Sequence, residues 1–191
     1  MKIAVLAVQG AFAEHRKMLE TLGCTVTELR QKQDLVQDFD GIVLPGGEST
    51  VQGKLLRELD MYEDIKSRIE NGLPVLATCA GLILLASDIV NDDRRHFGTL
   101  PVSVKRNAYG RQLGSFHYDG EIKGLGIFPM EFIRAPYIEA ADQNVEVLAE
   151  VDNHIVAVRY GNQLAAAFHP ELTEDTRFHQ MFLEMCRRKI K

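Results

Sequence analysis

Apolar runs alternate with amphipathic segments in the first half of this 191-residue chain. Stretches typical of buried strands, either continuously apolar or alternating, occur at 2–8, 25–29, 41–44 and 74–77. Segments with helical periodicity follow them at 11–22, from about Val51, at 62–71 and at 80–90. Because strand and helix alternate, this half predicts a parallel sheet with helices on both faces.

The second half contains short apolar segments separated by Gly, Asn or Asp. The segments that are typical of strands are 99–105, 111–118, 127–134, 145–151, 154–160 and 164–168. A helix from about Glu174 to Lys189 follows them, and no repeat, low-complexity tract or linker divides the chain. We therefore expect one domain, residues 1–191, of the α/β class: a three-layer α/β/α sandwich whose mostly parallel central sheet has an antiparallel extension.

Composition and charge narrow the class of protein. A hydrophobic content of 46% fits a globular fold, and a net charge of −5 without a basic block argues against a nucleic-acid partner. No apolar stretch is long enough to cross a membrane, and the apolar N-terminus lacks a small-residue cleavage site, so we interpret it as a first strand. Three widely spaced cysteines, Cys24, Cys79 and Cys186, indicate free thiols in the cytoplasm rather than a disulfide frame or a zinc site.

The stretch LATCAGLILLA, residues 76–86, places Cys79 at the join of a short strand and a helix, between small residues. Such a tight turn exposes a nucleophile, and the N-terminus of the helix favours its thiolate form. The alternative at Cys79 is a buried, inert thiol. At Cys24 and Cys186 we expect only packing or a surface thiol.

A thiol nucleophile needs a base, and His169 is the best candidate because it ends a strongly apolar strand in LAAAFHPE. Glu171 follows two residues later and, in an extended segment, projects to the same side, where it can orient the imidazole. The alternative is a strand-end histidine beside a solvated glutamate. The other histidines are expected at the surface or half-buried: His15, His96, His117, His154 and His179.

The stretch LPGGEST, residues 44–50, ends a buried strand with a glycine pair just before a helix. Glycines allow backbone N–H groups to point into a cavity, where they can stabilise an oxyanion. A plain tight turn is the alternative. The Walker pattern and its lysine are absent, so this is not a phosphate loop.

Taken together, PGGEST, TCAG and FHPE resemble the class I, triad-type glutamine amidotransferases, whose core is flavodoxin-like. Further segments make the chain similar to one family among them, the glutaminase subunits of pyridoxal 5′-phosphate synthase. These segments are AVQGAFAEH, LPGGEST, LATCAGLILLA, VKRNAYGRQLGSF, FIRAP and FHPELTED. The chain departs from the family pattern at Ala77, since glycine often stands two positions before the nucleophile at such turns.

The resemblance implies hydrolysis of L-glutamine to glutamate and ammonia by a Cys-His-Glu triad. It assigns Cys79 as nucleophile, His169 as general base and acid, and Glu171 as the residue that orients the imidazole. The positions it assigns to glutamine binding are Gly46, Gly47, Glu48, Ser49, Arg106, Ile133 and Arg134, although each arginine could be a surface cation. The backbone N–H groups of Gly47 and Ala80 are the expected oxyanion donors.

The resemblance also implies a partner and no metal or organic cofactor. The partner is a (β/α)₈-barrel synthase subunit, which would receive the ammonia directly, form a hetero-oligomer with the glutaminase and activate it on docking. Three alternatives remain at this point. They are the glutaminase subunit of another amidotransferase such as imidazole glycerol phosphate synthase, a non-catalytic regulatory subunit on the same fold, and a stress-type cysteine hydrolase of related fold.

Overall fold

A computed structural model describes residues 1–107 and 114–189. Its strands are β1 (Lys2–Leu6), β2 (Thr25–Leu29), β3 (Gly41–Leu44), β4 (Val75–Thr78), β5 (Ala86–Ile89), β6 (Leu100–Lys105), β7 (Ser115–Ile122), β8 (Gly126–Ile133), β9 (Tyr137–Ala141), β10 (Glu146–Val151), β11 (His154–Tyr160) and β12 (Gln163–Ala166). Its helices are α1 (Phe12–Thr21), α2 (Ser49–Glu58), α3 (Tyr62–Glu70), α4 (Ala80–Leu85) and α5 (Arg177–Lys189), with 3₁₀ turns at Lys32–Val36 and Pro170–Leu172.

The main sheet has a parallel half and a largely antiparallel half. The parallel half has the strand order β2-β1-β3-β4-β12. Beyond β12, strands β11, β9 and β6 pair antiparallel, β5 pairs parallel with β6 at the edge, and β10 pairs with β11. The four strands β1, β3, β4 and β12 are almost entirely buried, as their apolar sequences require.

Helices cover both faces of the parallel half. Helix α1 packs on β1 and β2, and His15 of α1 bonds His179 of α5, which places these two helices on the same face. Helix α4 packs on β3, β4 and β12 and contacts α2. The crossovers through α1 and through α2–α3 move in opposite directions along the sheet, so right-handed connections put them on opposite faces. The predicted three-layer α/β architecture is confirmed.

Strands β7 and β8 form a separate antiparallel hairpin. Its buried face carries Phe128 and Phe132, which pack against Phe168 with ring centroids 6.1 and 5.8 Å apart. The backbone N–H of His169 donates to the carbonyl of Glu131 in β8 at 2.8 Å. The hairpin therefore fixes the chain segment that carries His169.

The structure corrects three of the predicted elements. The expected helix 80–90 ends at Leu85, because the polar residues Ser87 and Asp88 interrupt the apolar run and the chain continues as β5 beside β6. Strand β9 was not predicted, and the last helix begins at Arg177 rather than Glu174. Part of the predicted strand 111–118 lies outside the described residues. No helix among the residues described is long and apolar enough to cross a membrane.

A substitution at Gly41 tests how closely α5 packs on the sheet. A Cβ at this position would lie 2.6 Å from Sγ of Cys186 and 2.8 Å from Cζ of Phe182. Gly41→Ala is expected to lower the free energy of unfolding by about 1–3 kcal/mol through overpacking, as measured by urea denaturation. In a Cys186→Ala background the effect should be smaller, because one of the two clashing groups is gone. Equal losses in the two backgrounds would contradict this packing.

Candidate active site

A cavity of about 310 Å³ opens where the strands of the parallel half end. The described residues that line it are Gln9, Gly10, Ala11, Gly46, Gly47, Glu48, Cys79, Asn107, Ile133, Arg134 and His169. They follow the carboxyl ends of β1, β3, β4, β6, β8 and β12. Open α/β sheets place ligands at this edge, so the cavity is the candidate active site.

Cys79 occupies a strained turn between β4 and α4. Its φ of 48° and ψ of −102° lie in a region that non-glycine residues rarely adopt. The Cys79 N–H donates to the carbonyl of Ala166 at 2.8 Å, which anchors the turn to the neighbouring strand β12. A Cβ at Gly81 would lie 2.0 Å from the carbonyl oxygen of Leu44, so only glycine allows α4 to begin this close to β3. The turn therefore fixes the direction of the thiol.

His169 lies beside this thiol and is backed by Glu171. The imidazole lies close enough to the Cys79 thiol to interact with it, and its Nδ1 lies 2.7 Å from Oε1 of Glu171. All three side chains are buried, with at most 7% of each residue exposed. Glu171 reaches the imidazole from the 3₁₀ turn Pro170–Leu172, not from the extended segment that the sequence suggested. The structure thus brings together three groups that lie up to 92 positions apart in the chain, 171 minus 79.

The protonation states of these groups follow from their contacts. Burial alone would lower the pKa of His169, but the hydrogen bonds to Cys79 and Glu171 outweigh it and raise the pKa to about 10. Burial also opposes charge on Glu171, yet the neighbouring His15 and the hydrogen bond from His169 lower its pKa. At neutral pH the site therefore holds an imidazolium between a carboxylate and the sulfur of Cys79.

The glycine loop after β3 lines one wall. The Gly46 N–H donates to Oγ1 of Thr78 at 3.1 Å, and the Ala11 N–H donates to the Gly46 carbonyl at 3.0 Å. The Glu48 N–H donates to Oε1 of Gln9 at 2.8 Å. The loop is therefore held by the segment that follows β1, and Gly46 and Gly47 both face the cavity.

Glu48 carries a carboxylate at the rim of the cavity. Its Oε1 accepts hydrogen bonds from the Thr50 N–H at 3.3 Å and from Arg106 at 2.9 Å. The guanidinium of Arg106 also lies 3.4 Å from a carboxylate oxygen of Asp92. Arg106 is not among the described residues that line the cavity, and it supports the Glu48 side chain from outside. Ser49 is buried at the start of α2 and does not line it either.

Arg134 contributes the positive charge of the cavity. It follows β8, has a φ of 42° and lines the wall beside Ile133. Within the described part of the chain, its guanidinium forms no ion pair.

Ala80 lies behind the wall as the first residue of α4, where backbone N–H groups have no acceptor within the helix.

Four lining residues were not predicted as site residues: Gln9, Gly10, Ala11 and Asn107. The first three follow β1, which neighbours β3 in the sheet. A signal was available, since β1 ends at the same edge as β3 and β4 and is followed by the polar pair Gln9-Gly10. Asn107 follows Arg106 in the segment VKRNAYGRQLGSF, of which residues 108–113 lie outside the described residues.

The chain is similar to known proteins over nearly its whole length. The model of the SNO glutamine amidotransferase family matches residues 5–188. A pyridoxal 5′-phosphate synthase subunit PdxT of Desulfitobacterium hafniense (strain DSM 10664 / DCB-2) is 61% identical over 184 residues, covering 96% of this chain and 92% of the relative. The protein of the same name from Streptococcus pneumoniae (strain CGSP14) is 54% identical over 192 residues, covering 99% of each chain.

Solved structures extend the likeness to the fold. A crystal structure of a glutamine amidotransferase superposes with a TM-score of 0.92 at 45% identity, covering 97% of this chain and 98% of that one. A putative GMP synthase protein from Thermoplasma acidophilum superposes with a TM-score of 0.68 at 20% identity, covering 100% of this chain and 96% of that one. The second likeness concerns the fold alone.

A substitution at Gly46 tests the contact between the glycine loop and the imidazole of His169. A Cβ at this position would lie 2.3 Å from Cε1 of His169, so Gly46→Ala must displace the ring. Reactive thiols depend on a cationic neighbour, so displacing the imidazole should slow alkylation of Cys79 by iodoacetamide roughly tenfold or more. Peptide mass mapping measures this rate. Gly161→Ala is the control, because Gly161 lies in the turn between β11 and β12, where a Cβ would meet no atom within 4 Å. It should leave the rate unchanged; an unchanged rate in Gly46→Ala would contradict the contact.

Proposed function

Because the chain belongs to the SNO glutamine amidotransferase family, we propose that it is the glutaminase subunit of a pyridoxal 5′-phosphate synthase. It hydrolyses L-glutamine to L-glutamate and ammonia. The observation that carries this function is the convergence of Cys79 and His169 on one cavity, with the imidazole hydrogen-bonded to Glu171 behind it. The names of the relatives at 61% and 54% identity support this subunit over the one that serves imidazole glycerol phosphate synthase.

The charges of the cavity suit an amino acid. Glutamine carries a carboxylate and an ammonium group, which need a cation and an acceptor. Arg134 lines the wall as a cation, and Glu48 lies at the rim as a carboxylate. Gly46, Gly47 and Ile133 line the space between. Arg106 holds the Glu48 side chain from outside the cavity, and Ser49 is the buried first residue of α2.

The reaction begins with attack of the Cys79 thiolate on the side-chain amide carbon of glutamine. The backbone N–H groups of Gly47 and Ala80 stabilise the oxyanion of the tetrahedral intermediate. His169, held as imidazolium by Glu171, gives its proton to the nitrogen as the C–N bond breaks and ammonia leaves.

A thioester between Cys79 and the glutamyl group remains. His169, now neutral, takes a proton from water, whose oxygen attacks the thioester carbon. The C–S bond breaks, glutamate is released and the imidazolium–thiolate pair is restored. No step in this scheme needs a metal or an organic cofactor.

The proposed partner is the barrel subunit that makes pyridoxal 5′-phosphate. Ammonia released into water at neutral pH would be protonated, so it is best transferred directly to the enzyme that uses it. We place the pair in the cytoplasm, where Cys24, Cys79 and Cys186, all free of disulfides, stay reduced. Residues 1–191 act as one glutaminase domain, consistent with a single connected core.

Cys79→Ala tests this function. In the complex with the synthase subunit, the variant should release no glutamate from glutamine above the level without enzyme, because no other group can form the thioester. Binding to the synthase subunit, measured by co-purification, should be unchanged. The matched control is Cys24→Ala, a partly buried thiol on the loop between α1 and β2, which should hydrolyse glutamine at the wild-type rate. Hydrolysis retained by the Cys79→Ala complex would contradict the assignment.

A further inference from the structure

Two fully buried histidines lie behind Glu171, where the sequence suggested surface positions. His15 of α1 and His179 of α5 each have 0% of their surface exposed. Burial lowers the pKa of both, that of His179 to about 3, so both imidazoles are neutral near neutral pH. Burying two imidazoles and a carboxylate together is costly unless each group has a partner.

The contacts form a chain that starts at the catalytic carboxylate. Oε1 of Glu171 bonds His169, and Oε2 lies 3.3 Å from Nε2 of His15. The other nitrogen of His15, Nδ1, lies 2.9 Å from Nε2 of His179. Nε2 of His15 also lies 3.1 Å from Oγ1 of Thr78, the residue before the nucleophile.

The carboxylate decides which nitrogen of His15 carries its proton. Oε2 of Glu171 is buried and has no hydrogen bond of regular geometry among the described residues, so it needs a donor. With the proton on Nδ1, the lone pair on Nε2 would face the carboxylate, which is repulsive. With the proton on Nε2, His15 donates towards Glu171 and Thr78, and its Nδ1 accepts from the Nε2–H of His179.

We propose that His15 is a positioning residue of the glutaminase, which holds Oε2 of Glu171 while His169 holds Oε1, and that His179 fixes the tautomer of His15. This inference rests on the glutaminase function proposed above. The carboxylate is thereby kept in the plane where Oε1 meets the imidazole, and His169 remains an imidazolium that can protonate ammonia.

Few other charged groups act on this set. Cys79 lies beside the imidazole of His169, and Glu14, on α1, acts on His15 at longer range. A purely structural role for His15 would be to join α1 to the Thr78 hydroxyl. That role predicts a loss of stability but no change in the ionisation of His169.

The test measures kcat and KM for glutamine from pH 6 to 11 in the complex with the synthase subunit. His15→Leu should lower kcat roughly 10- to 100-fold, because the buried Oε2 of Glu171 loses its nearest donor, and leaving a buried charged group without one is costly. KM should not change, because His15 does not touch the cavity. The alkaline limb of the kcat profile should move to lower pH, because a less well held Glu171 stabilises the imidazolium less.

His15→Gln supplies a donor near the place of Nε2 and should restore most of kcat and the position of the alkaline limb. His96→Leu is the matched control. His96 is also buried, its Nδ1 has no hydrogen-bond partner among the described residues, and it packs against α2 at Gly53. It should keep the wild-type profile. If His15→Leu does not fold, His179→Leu carries the test and should move the same limb in the same direction.

A folded His15→Leu complex with the wild-type alkaline limb would overturn the proposal, and so would a folded His15→Gln complex that behaves like His15→Leu. Failure of the proposed function looks different: the wild-type complex would release no glutamate at any pH.

Discussion

The hydrogen bond between Nδ1 of His169 and Oε1 of Glu171 is the interaction on which the site depends. Both groups are buried, so each charge is tolerable only beside the other. The bond keeps the imidazole protonated beside the sulfur of Cys79. A nucleophilic sulfur and a fixed imidazolium are the nucleophile and the acid that an amide hydrolase requires.

Much of the fold serves to place these groups. The aromatic contacts of β8 hold the segment after β12, so His169 reaches the cavity with Glu171 behind it. The Cys79 turn reaches it from β4, and the strain at that residue is held by the neighbouring strands. Gly46 and Gly81 are two of the positions where a Cβ would lie too close to a ring or to backbone.

The sequence predicted the parallel half well because a strand buried on both faces must be continuously apolar. It predicted the region after Leu85 poorly, since an apolar run suits either a helix or a strand and only the pairing of β5 with β6 decides. The expectation that His15 and His179 lie at the surface or half-buried was wrong, since both are fully buried. Their spacing indicated burial, because each lies four residues before an apolar residue on the buried face of its helix. His15 precedes Leu19, and His179 precedes Leu183. Contacts such as that between Glu171 and His15 join distant segments and cannot be read from local patterns.

The most direct test of this account is the ionisation of His169 in the free protein. Nitrogen NMR of ¹⁵N-histidine-labelled protein, with the His169 signals assigned by the His169→Asn variant, distinguishes imidazolium from neutral imidazole. The account predicts that His169 stays doubly protonated from pH 7 to pH 9 and titrates near its raised pKa of about 10. Titration near 6.5, the ordinary value for histidine, would contradict it.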